Sequence, residues 1–310
     1  MGLEPQPAPS VSRARWWWIG GALAVGTIAG VVIAGMLVSS DTPASAPSPT
    51  QTVAPTPTVT PTPTPTPAPT ESGFPANTAS YRTAGMPEVN VFAVVAPLPV
   101  DAAAAEPFTG ELASPNSSAA PVWADPTGEP VGYLPSQYQH GGTTVPVIER
   151  QEHWVQVLLA GRQAVPSQGN PAQVTGWMRV ADVTLTGTST VVEVSISGRT
   201  VDIVEAGVPT RIATDFAWGT EQTPTPVGRT FVMTTAVVPE YGYTRGYPLV
   251  YLGVQSPTLD GFGGASVAVT AFHYHDARSG AISNGCIRLD ESAIEALGAL
   301  PMGTPVVIRP

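Results

Sequence analysis

A long run of proline and threonine limits where this chain can fold. Pro43 to Thr70 consists mainly of Pro, Thr, Ala and Ser, and Pro-Thr repeats from Pro55 to Pro67. A segment of this composition buries no core and favours extended polyproline II, which rises ~3.1 Å per residue. The 28 residues would span roughly 90 Å as a semi-rigid stalk. We therefore predict a disordered linker over residues 41–72, with the folded domains after it.

An uncharged run precedes the linker. The 23 positions from Trp16 to Val38 hold no charged residue, and a helix of that length crosses the hydrocarbon core at ~1.5 Å per residue. Arg13 and Arg15 precede the run, so the positive-inside rule keeps the N-terminus in the cytoplasm. We predict a cytoplasmic tail (1–15), an uncleaved single-pass anchor in the cell membrane (16–38) and an extracytoplasmic remainder in the cell wall space. A cleaved signal peptide is the alternative, because Ala44-Ser45-Ala46 is similar to a cleavage site.

Charge and cysteine content narrow the possible functions. A net charge of −10 does not fit a nucleic-acid binder, which needs a basic patch, so we expect no nucleic-acid partner. The single cysteine, Cys286, cannot form an intrachain disulfide and is either a buried structural residue or a reactive thiol. His140 and His153 have no Cys or Asp cluster around them, so we expect no metal site and no cofactor.

The middle of the chain alternates short apolar runs with turn signals. Residues 73–119 form a lead-in segment with one apolar stretch, Val89 to Val95, and otherwise turn formers. Between residues 120 and 186, several short strands at regular spacing predict a small β-barrel. The strand-like runs are Val122-Trp123, Val131–Leu134, Val145–Ile148, Trp154–Leu159 and Gly176–Val180.

The C-terminal part, residues 190–310, has the pattern of a mainly β domain. Apolar residues alternate with polar ones from Val192 to Ile196 and from Val201 to Ile203, which predicts a hairpin. Pro224 to Gly228 indicates a turn between strands. Asp290 is a plausible N-cap for one short helix that ends at Gly298. We predict two layers of mainly antiparallel sheet with this helix and a closing strand from Val306 to Ile308.

The residues around Cys286 can support nucleophilic chemistry. Gly285 allows a tight turn that can point the amide N–H groups of Gly285 and Cys286 at one spot, as in an oxyanion hole. His273 and His275 lie 13 and 11 positions upstream. A neighbouring imidazole can take the thiol proton and is expected to lower the pKa of the thiol. These pieces suffice for a Cys–His acyl-transfer site.

The motif Ser283-Asn284-Gly285-Cys286-Ile287-Arg288 resembles the signature of the L,D-transpeptidase catalytic domain. There a strand ends in His and a loop leads to Ser/Thr-x-Gly-Cys-Ile/Val-Arg. Thr223–Gly228 and Gly303–Ile308 are similar to the Thr-Pro-x-Gly turn and the closing strand of that family. The resemblance implies a β-sandwich-like fold, peptidoglycan stem peptides as substrates and inhibition by carbapenem β-lactams. Separately, Trp154–Val157 with Gly176–Arg179 resembles Src-homology-three-like wall domains, which implies either a wall-binding module or a spacer.

The resemblance also implies roles for single residues. Cys286 would be the nucleophile and His273 the base, because the His of the family follows an apolar pair, here Ala271-Phe272. His275 is the secondary candidate for the base. Residues 283–285 would contact substrate or the oxyanion, although many family members carry His where this chain has Asn at position 284.

Arg288 has two open interpretations: it binds a substrate carboxylate, or it forms an ion pair with Asp290 or Glu291. The function of the whole chain also has alternatives. The thioester on Cys286 could be resolved by an amine, which forms a cross-link, or by water, as in an L,D-carboxypeptidase. The remaining alternative is a non-catalytic wall-binding protein with a degenerate C-terminal domain.

Overall fold

The computed structural model describes residues 73–310, which form a mainly β protein with one α-helix. This confirms the predicted fold class for that part of the chain. The predicted anchor (16–38) and linker (41–72) lie outside the described residues. From residue 73 onward, no helix is both long and apolar enough to cross a membrane.

Seven strands form a first sheet, called here the N-terminal sheet. They are β1 (Glu111–Pro115), β2 (Ala119–Trp123), β3 (Pro130–Pro135), β4 (Val145–Arg150), β5 (Trp154–Arg162), β6 (Gln173–Arg179) and β7 (Val183–Gly187). Their order is β3-β2-β6-β5-β4-β1-β7, with antiparallel neighbours throughout. All five predicted strand-like runs coincide with strands of this sheet, except that Val180, at the end of the last run, belongs to a 3-10 turn. Strand β1 comes from the segment 73–119, for which the sequence indicated no strand.

Ten strands form a second sheet, called here the C-terminal sheet. They are β8 (Thr190–Ser195), β9 (Thr200–Glu205), β10 (Val208–Ala213), β11 (Ala217–Gly219), β12 (Gly228–Ala236), β13 (Leu249–Gln255), β14 (Val269–Tyr274), β15 (Gly280–Ser283), β16 (Ile287–Leu289) and β17 (Pro305–Arg309). The order is β10-β9-β8-β17-β12-β13-β14-β16-β11-β15. The predicted β8–β9 hairpin and closing strand β17 are confirmed. The pairs β8–β17, β14–β16 and β11–β15 are parallel, and the other six are antiparallel, so the pairing is mainly antiparallel as expected. The ten strands form one continuous sheet, where we expected two layers.

The single helix, α1 (Glu291–Gly298), begins where the sequence predicted it. The Asp290 side chain accepts a hydrogen bond from the Ala293 N–H at 2.9 Å, which satisfies an amide that the first turn leaves free. Ile294 and Leu297 are buried in the core of the C-terminal sheet. The helix contacts the neighbouring strands β13 and β14 and also β10, which lies at the far edge of the sheet. The sheet therefore curls around the helix.

The two sheets share one interface inside a single compact unit. Phe231 and Met233 of β12 are buried in the core of the N-terminal sheet. Arg229 of the same strand pairs with Asp101 at 2.7 Å, and both side chains are almost fully buried. The N-terminal sheet therefore packs directly behind the central strands of the C-terminal sheet.

Candidate active site

The register of β14 against β16 decides which side chains can meet. Phe272 is level with Ile287, and His273 is level with Arg288. Phe272 and Ile287 belong to the core of the C-terminal sheet. Since side chains alternate between the two faces of a strand, His273 and Arg288 share the opposite face. Cys286, one residue before Ile287, also belongs to that face.

The same register separates the two candidate bases. If the pairing is extended by one residue, Cys286 is level with Ala271. At ~3.3 Å per residue, His273 lies ~7 Å further along β14 and His275 lies ~13 Å further. His273 lines both cavities that border Cys286, whereas His275 lines the smaller one. The structure therefore brings His273 closer to the thiol.

The His273 imidazole is oriented and neutral. Its Nδ1–H donates to the backbone carbonyl of Tyr274 at 2.9 Å, because a carbonyl can only accept, so Nε2 keeps its lone pair. The ring is 5% exposed. The pKa of His273 is lowered to about 4, chiefly by burial and in part by the positive charges of Arg288 and His275, while the hydrogen bond to Tyr274 opposes the shift. At neutral pH the imidazole is therefore a base without a proton on Nε2.

Cys286 is a free, half-buried cysteine. Burial raises the pKa of its thiol, although a backbone hydrogen bond from Ala271 and the charge of Arg288 act in the opposite direction. Our expectation of a lowered thiol pKa is therefore wrong for the resting protein. The sulfur is withdrawn from water, and the neutral His273 supplies no positive charge that would favour the thiolate.

The turn before Cys286 depends on Gly285. Its φ is +108°, and a Cβ there would lie 3.3 Å from the carbonyl oxygen of Pro224. Ser283 Oγ donates to the Cys286 carbonyl at 2.5 Å and accepts from the Gly285 N–H at 3.1 Å. Ser283 thus holds the turn, and the Gly285 amide is already used. This corrects the expected pair of free amides: the Gly285 N–H is taken by Ser283, so the Cys286 N–H is left as the candidate oxyanion donor.

The two motifs that resemble the transpeptidase family touch each other here. Thr223 Oγ1 lies 3.2 Å from the Ser283 carbonyl and 3.4 Å from Asn284 Oδ1. The Asn284 side chain is otherwise exposed. Sequence reasoning quoted both motifs but did not predict that Thr223 supports the nucleophile turn.

Arg288 faces the cavity without a carboxylate partner. Its Nη1 lies 3.5 Å from the Ala277 carbonyl, and its buried Nε has no hydrogen-bond partner in the described part of the chain. Among residues 73–310, the ion pairs found do not join Arg288 to Asp290 or Glu291. The structural ion pair that the sequence left open is therefore not formed.

Two cavities of different character meet at Cys286. The smaller, about 210 Å³, is rich in polar side chains; it is lined by Tyr243, Leu259, Phe262, Ala268, Val269, His273, His275, Ser283, Asn284, Cys286 and Arg288. The larger, about 600 Å³, is mostly apolar and extends to Val91, Phe92, Gln139 and His140 from the N-terminal part of the chain. Both cavities are within the size range of small-ligand sites or just below it.

Tyr243 covers the histidines between these cavities. Its ring centroid lies 5.3 Å from that of His273 and 5.6 Å from that of His275. Burial raises the pKa of Tyr243, and the nearby Cys286 thiol adds to the shift. Tyr241 and Tyr251 line the larger cavity.

One family model matches the chain, and it covers residues 189–308. Its description is the L,D-transpeptidase catalytic domain (YkuD). The match begins after the N-terminal sheet, so the resemblance of residues 120–186 to Src-homology-three-like domains stays a prediction. None of the curated proteins compared with the chain matches it.

Solved structures of L,D-transpeptidases are also similar to the chain. An L,D-transpeptidase from Mycobacterium smegmatis is 16% identical, with 51% of this chain and 91% of that chain covered at a TM-score of 0.31. L,D-transpeptidase 3 from Mycobacterium tuberculosis is 18% identical, with 51% and 92% covered at a TM-score of 0.31. The catalytic domain of an E. faecium L,D-transpeptidase is 22% identical, with 38% and 95% covered at a TM-score of 0.26.

The family match agrees with the position of the motif around Cys286. Residues 189–308, which hold the C-terminal sheet and its helix, thus match the L,D-transpeptidase catalytic domain, as the resemblance of the sequence implied.

Proposed function

We propose that the chain is an L,D-transpeptidase that cross-links peptidoglycan stem peptides through a thioester on Cys286. The observation that carries the proposal is the common face of β14 and β16. On that face a neutral His273 with a free Nε2 lone pair, a lone thiol and an unpaired Arg288 border one cavity. Perturbed titratable groups gathered in a cleft are typical of catalytic sites.

The protonation states favour general-base catalysis over a resting thiolate–imidazolium pair. His273 Nε2 takes the Cys286 proton as Sγ attacks the carbonyl carbon that precedes the terminal D-alanine of a tetrapeptide stem. The Cys286 N–H stabilises the negative oxygen of the tetrahedral intermediate. The imidazolium then returns its proton to the departing D-alanine amine, which leaves an acyl thioester on Cys286.

The second half-reaction repeats these steps with a different nucleophile. The amine of a neighbouring stem attacks the thioester and loses a proton to His273, and the released thiolate is reprotonated. Since two cavities reach Cys286, a donor stem and an acceptor stem can approach from different sides. This arrangement favours cross-linking over the carboxypeptidase alternative, in which water alone resolves the thioester.

Arg288 supports recognition of an anionic donor. Its guanidinium borders the smaller cavity and has an unpartnered Nε, and its planar fork suits a carboxylate. We assign the carboxylate end of the donor stem to this cavity.

We also propose that the enzyme is anchored in the membrane by residues 16–38 and reaches the wall over the stalk 41–72, as the uncharged run and the proline content indicate. Fractionation with protease treatment of intact cells tests this topology. A mature protein that starts near Pro47 and is free in the medium would contradict it.

Carbapenems are the proposed inhibitors. Solved structures of similar proteins include an L,D-transpeptidase in complex with imipenem and another with a faropenem-derived adduct. In this chain the β-lactam carbonyl would acylate Cys286, so incubation should add one drug mass that Cys286→Ala does not gain. Absence of the adduct in the folded parent would argue against the nucleophile.

The deciding experiment is mass spectrometry of the full chain incubated with a tetrapeptide stem. It reads D-alanine release, cross-linked dimer and hydrolysed tripeptide in one run, with Cys286→Ala as the control. Dimer supports the transpeptidase, tripeptide alone supports the carboxypeptidase, and no turnover supports the non-catalytic wall-binding alternative.

A further inference from the structure

Arg162, at the end of β5 in the N-terminal sheet, is a charged residue with 1% exposure. It belongs to no ion pair among those found in residues 73–310. Its guanidinium instead donates to three backbone carbonyls. The acceptors are Leu259 and Ser266, each at 3.2 Å, and Asp260.

These carbonyls lie on the two legs of one loop, residues 256–268, between β13 and β14. Leu259 and Asp260 belong to the leg that leaves β13, and Ser266 belongs to the leg that enters β14. A planar guanidinium with five N–H donors can hold both legs at once; a lysine offers three donors on a single atom, and an apolar side chain offers none. Burying an unpaired charge is unfavourable. Packing between the two sheets would be served better by an apolar side chain, so packing alone does not account for an arginine at this position.

Further anchors of the loop also come from the N-terminal part. The Asp260 carboxylate accepts from the Ser167 N–H at 2.9 Å and from its hydroxyl at 2.5 Å. At the base of the loop, the Gln255 side chain donates to the Val91 carbonyl at 2.8 Å and accepts from the Ala268 N–H at 3.2 Å. The N-terminal part of the chain thus holds the base and both legs of the loop.

The loop forms a wall of both cavities. Phe262 at its tip is 57% exposed and lines the smaller and the larger cavity. The hydrogen bonds of the tip are internal, from the Phe262 N–H to Val267 and from the Ala265 N–H to Phe262. The distance between the Phe262 wall and Cys286 is therefore set by how the legs are held.

We propose that Arg162 is a positioning residue: it fixes the loop 256–268 so that Phe262 forms the substrate-facing wall beside Cys286. The inference rests on the proposed function and deepens it, because it makes the N-terminal sheet a working part of the active site. It predicts a defect in substrate capture, while the thiol and its base stay intact.

The test compares Arg162→Met, Arg162→Lys and Arg229→Met in the full chain. Arg229→Met is the matched control, because it also removes a buried arginine between the two sheets but one bound to Asp101 rather than to the loop. For each protein, carbapenem acylation is measured against drug concentration, together with hydrogen exchange of the loop amides and alkylation of Cys286 by iodoacetamide.

We expect Arg162→Met to raise the half-saturating drug concentration by about 10–100-fold, the size that misplacement of a positioning group produces. Its limiting rate and its alkylation rate should stay close to the parent, its loop amides should exchange faster, and Arg162→Lys should recover part of the loss. Arg229→Met should keep the parent acylation. Equal behaviour of Arg162→Met and Arg229→Met would overturn the proposal.

Two further outcomes keep the proposal separate from the function it rests on. If the parent is not acylated, the proposed function fails, and a loop that exchanges faster in Arg162→Met than in Arg229→Met still supports the anchoring. If Arg162→Met does not fold, Asp260→Asn tests the neighbouring tie at an exposed position. It should raise the half-saturating concentration by a smaller factor, and no rise would overturn the proposal.

Discussion

The aromatic cluster of the N-terminal sheet and the histidine face of the C-terminal sheet each contain an arginine, but only one of the two is neutralised. Trp154 is fully buried, lies against Trp123 and donates from Nε1 to the Pro75 carbonyl at 2.9 Å. Arg179 beside them forms a bidentate pair with Asp182. This region is tightly packed and its arginine is paired, although the buried Trp123 Nε1 has no hydrogen-bond partner within the described residues.

The histidine face lacks this pairing. Arg288 has no carboxylate, and its Nε has no partner within the described residues. Burial holds His273 neutral, and the covering Tyr243 is 44% exposed. A buried polar group without a partner costs stability, so the unpartnered Arg288 Nε beside Cys286 is placed to bind a ligand. The two regions should therefore respond differently to mutation.

The largest expected effect separates the two histidines. His273→Ala should slow acylation of Cys286 by ~10²–10⁴-fold, the usual loss on removing a general base. His275→Ala should stay within a small factor of the parent, because the register sets it farther from the thiol. Both variants are compared in single-turnover acylation after a check of folding. The reverse ranking would refute the assignment, and two equally slow variants would mean that the pair acts as a unit.

A change in the aromatic cluster should give the opposite signature. Trp154→Ala should lower the free energy of unfolding by about 3–5 kcal/mol, since it removes a buried aromatic and leaves a cavity. Acylation per folded molecule should change little. Denaturant titration measures the loss, with Phe92→Ala, an aromatic that is 45% exposed, as the control. A stable Trp154→Ala with impaired acylation would break the comparison between the regions.

Eight of the seventeen strands were predicted from the sequence, because each of them depends on local alternation and on turn residues. The five runs between residues 120 and 186, the β8–β9 hairpin and the Asp290 cap are all of this kind. The parallel pairing of β14 with β16 could not be predicted in the same way. It joins segments across a loop, and no periodic pattern records which strand lies beside which.

The site shows the same limit. The motif around Cys286 and the two upstream histidines could be identified from the sequence. Nothing in the sequence near Arg162 indicates that this residue contacts the loop beside the active site. It is an arginine after an apolar strand, and only the folded chain brings it to carbonyls about 100 positions away. The predicted direction of the Cys286 pKa shift was wrong for a related reason. The pKa is raised by burial, and that burial depends on cavity walls that distant segments of the chain supply.

A pH effect of intermediate size should come from His273. Its pKa is about 4 in the folded chain against about 6.5 when unfolded, so the unfolded state binds more protons between these values. Its contribution is fully present above pH ~6.5 and is lost as the pH falls to ~4, by about 3 kcal/mol. Denaturant unfolding of the parent at about pH 7.5 and about pH 4 should show this loss, and His273→Gln should lack it. If the parent and His273→Gln lost the same free energy of unfolding between these two pH values, a buried neutral imidazole at position 273 would be contradicted.

The smallest of these effects concerns Arg288 and a substrate carboxylate. Hydrogen bonds to charged groups contribute about 1.5–3 kcal/mol, so Arg288→Met should raise the half-saturating concentration of a tetrapeptide stem by roughly 10–100-fold. The limiting acylation rate should fall less, because Arg288 binds the donor and does not transfer the proton. Steady-state kinetics on the full chain separate the two constants.

The matched substrate makes this prediction specific. A stem whose C-terminal carboxylate is amidated should bind the parent and Arg288→Met with similar half-saturating concentrations, because the guanidinium then has no anion to pair with. Arg278→Met serves as the control variant, since Arg278 lies over the Tyr274 ring, 5.7 Å from its centroid, and does not line the smaller cavity. An equal loss on both substrates would mean that Arg288 shapes the turn and does not read the carboxylate. In that case the difference between the paired Arg179 and the unpaired Arg288 would have no bearing on substrate binding.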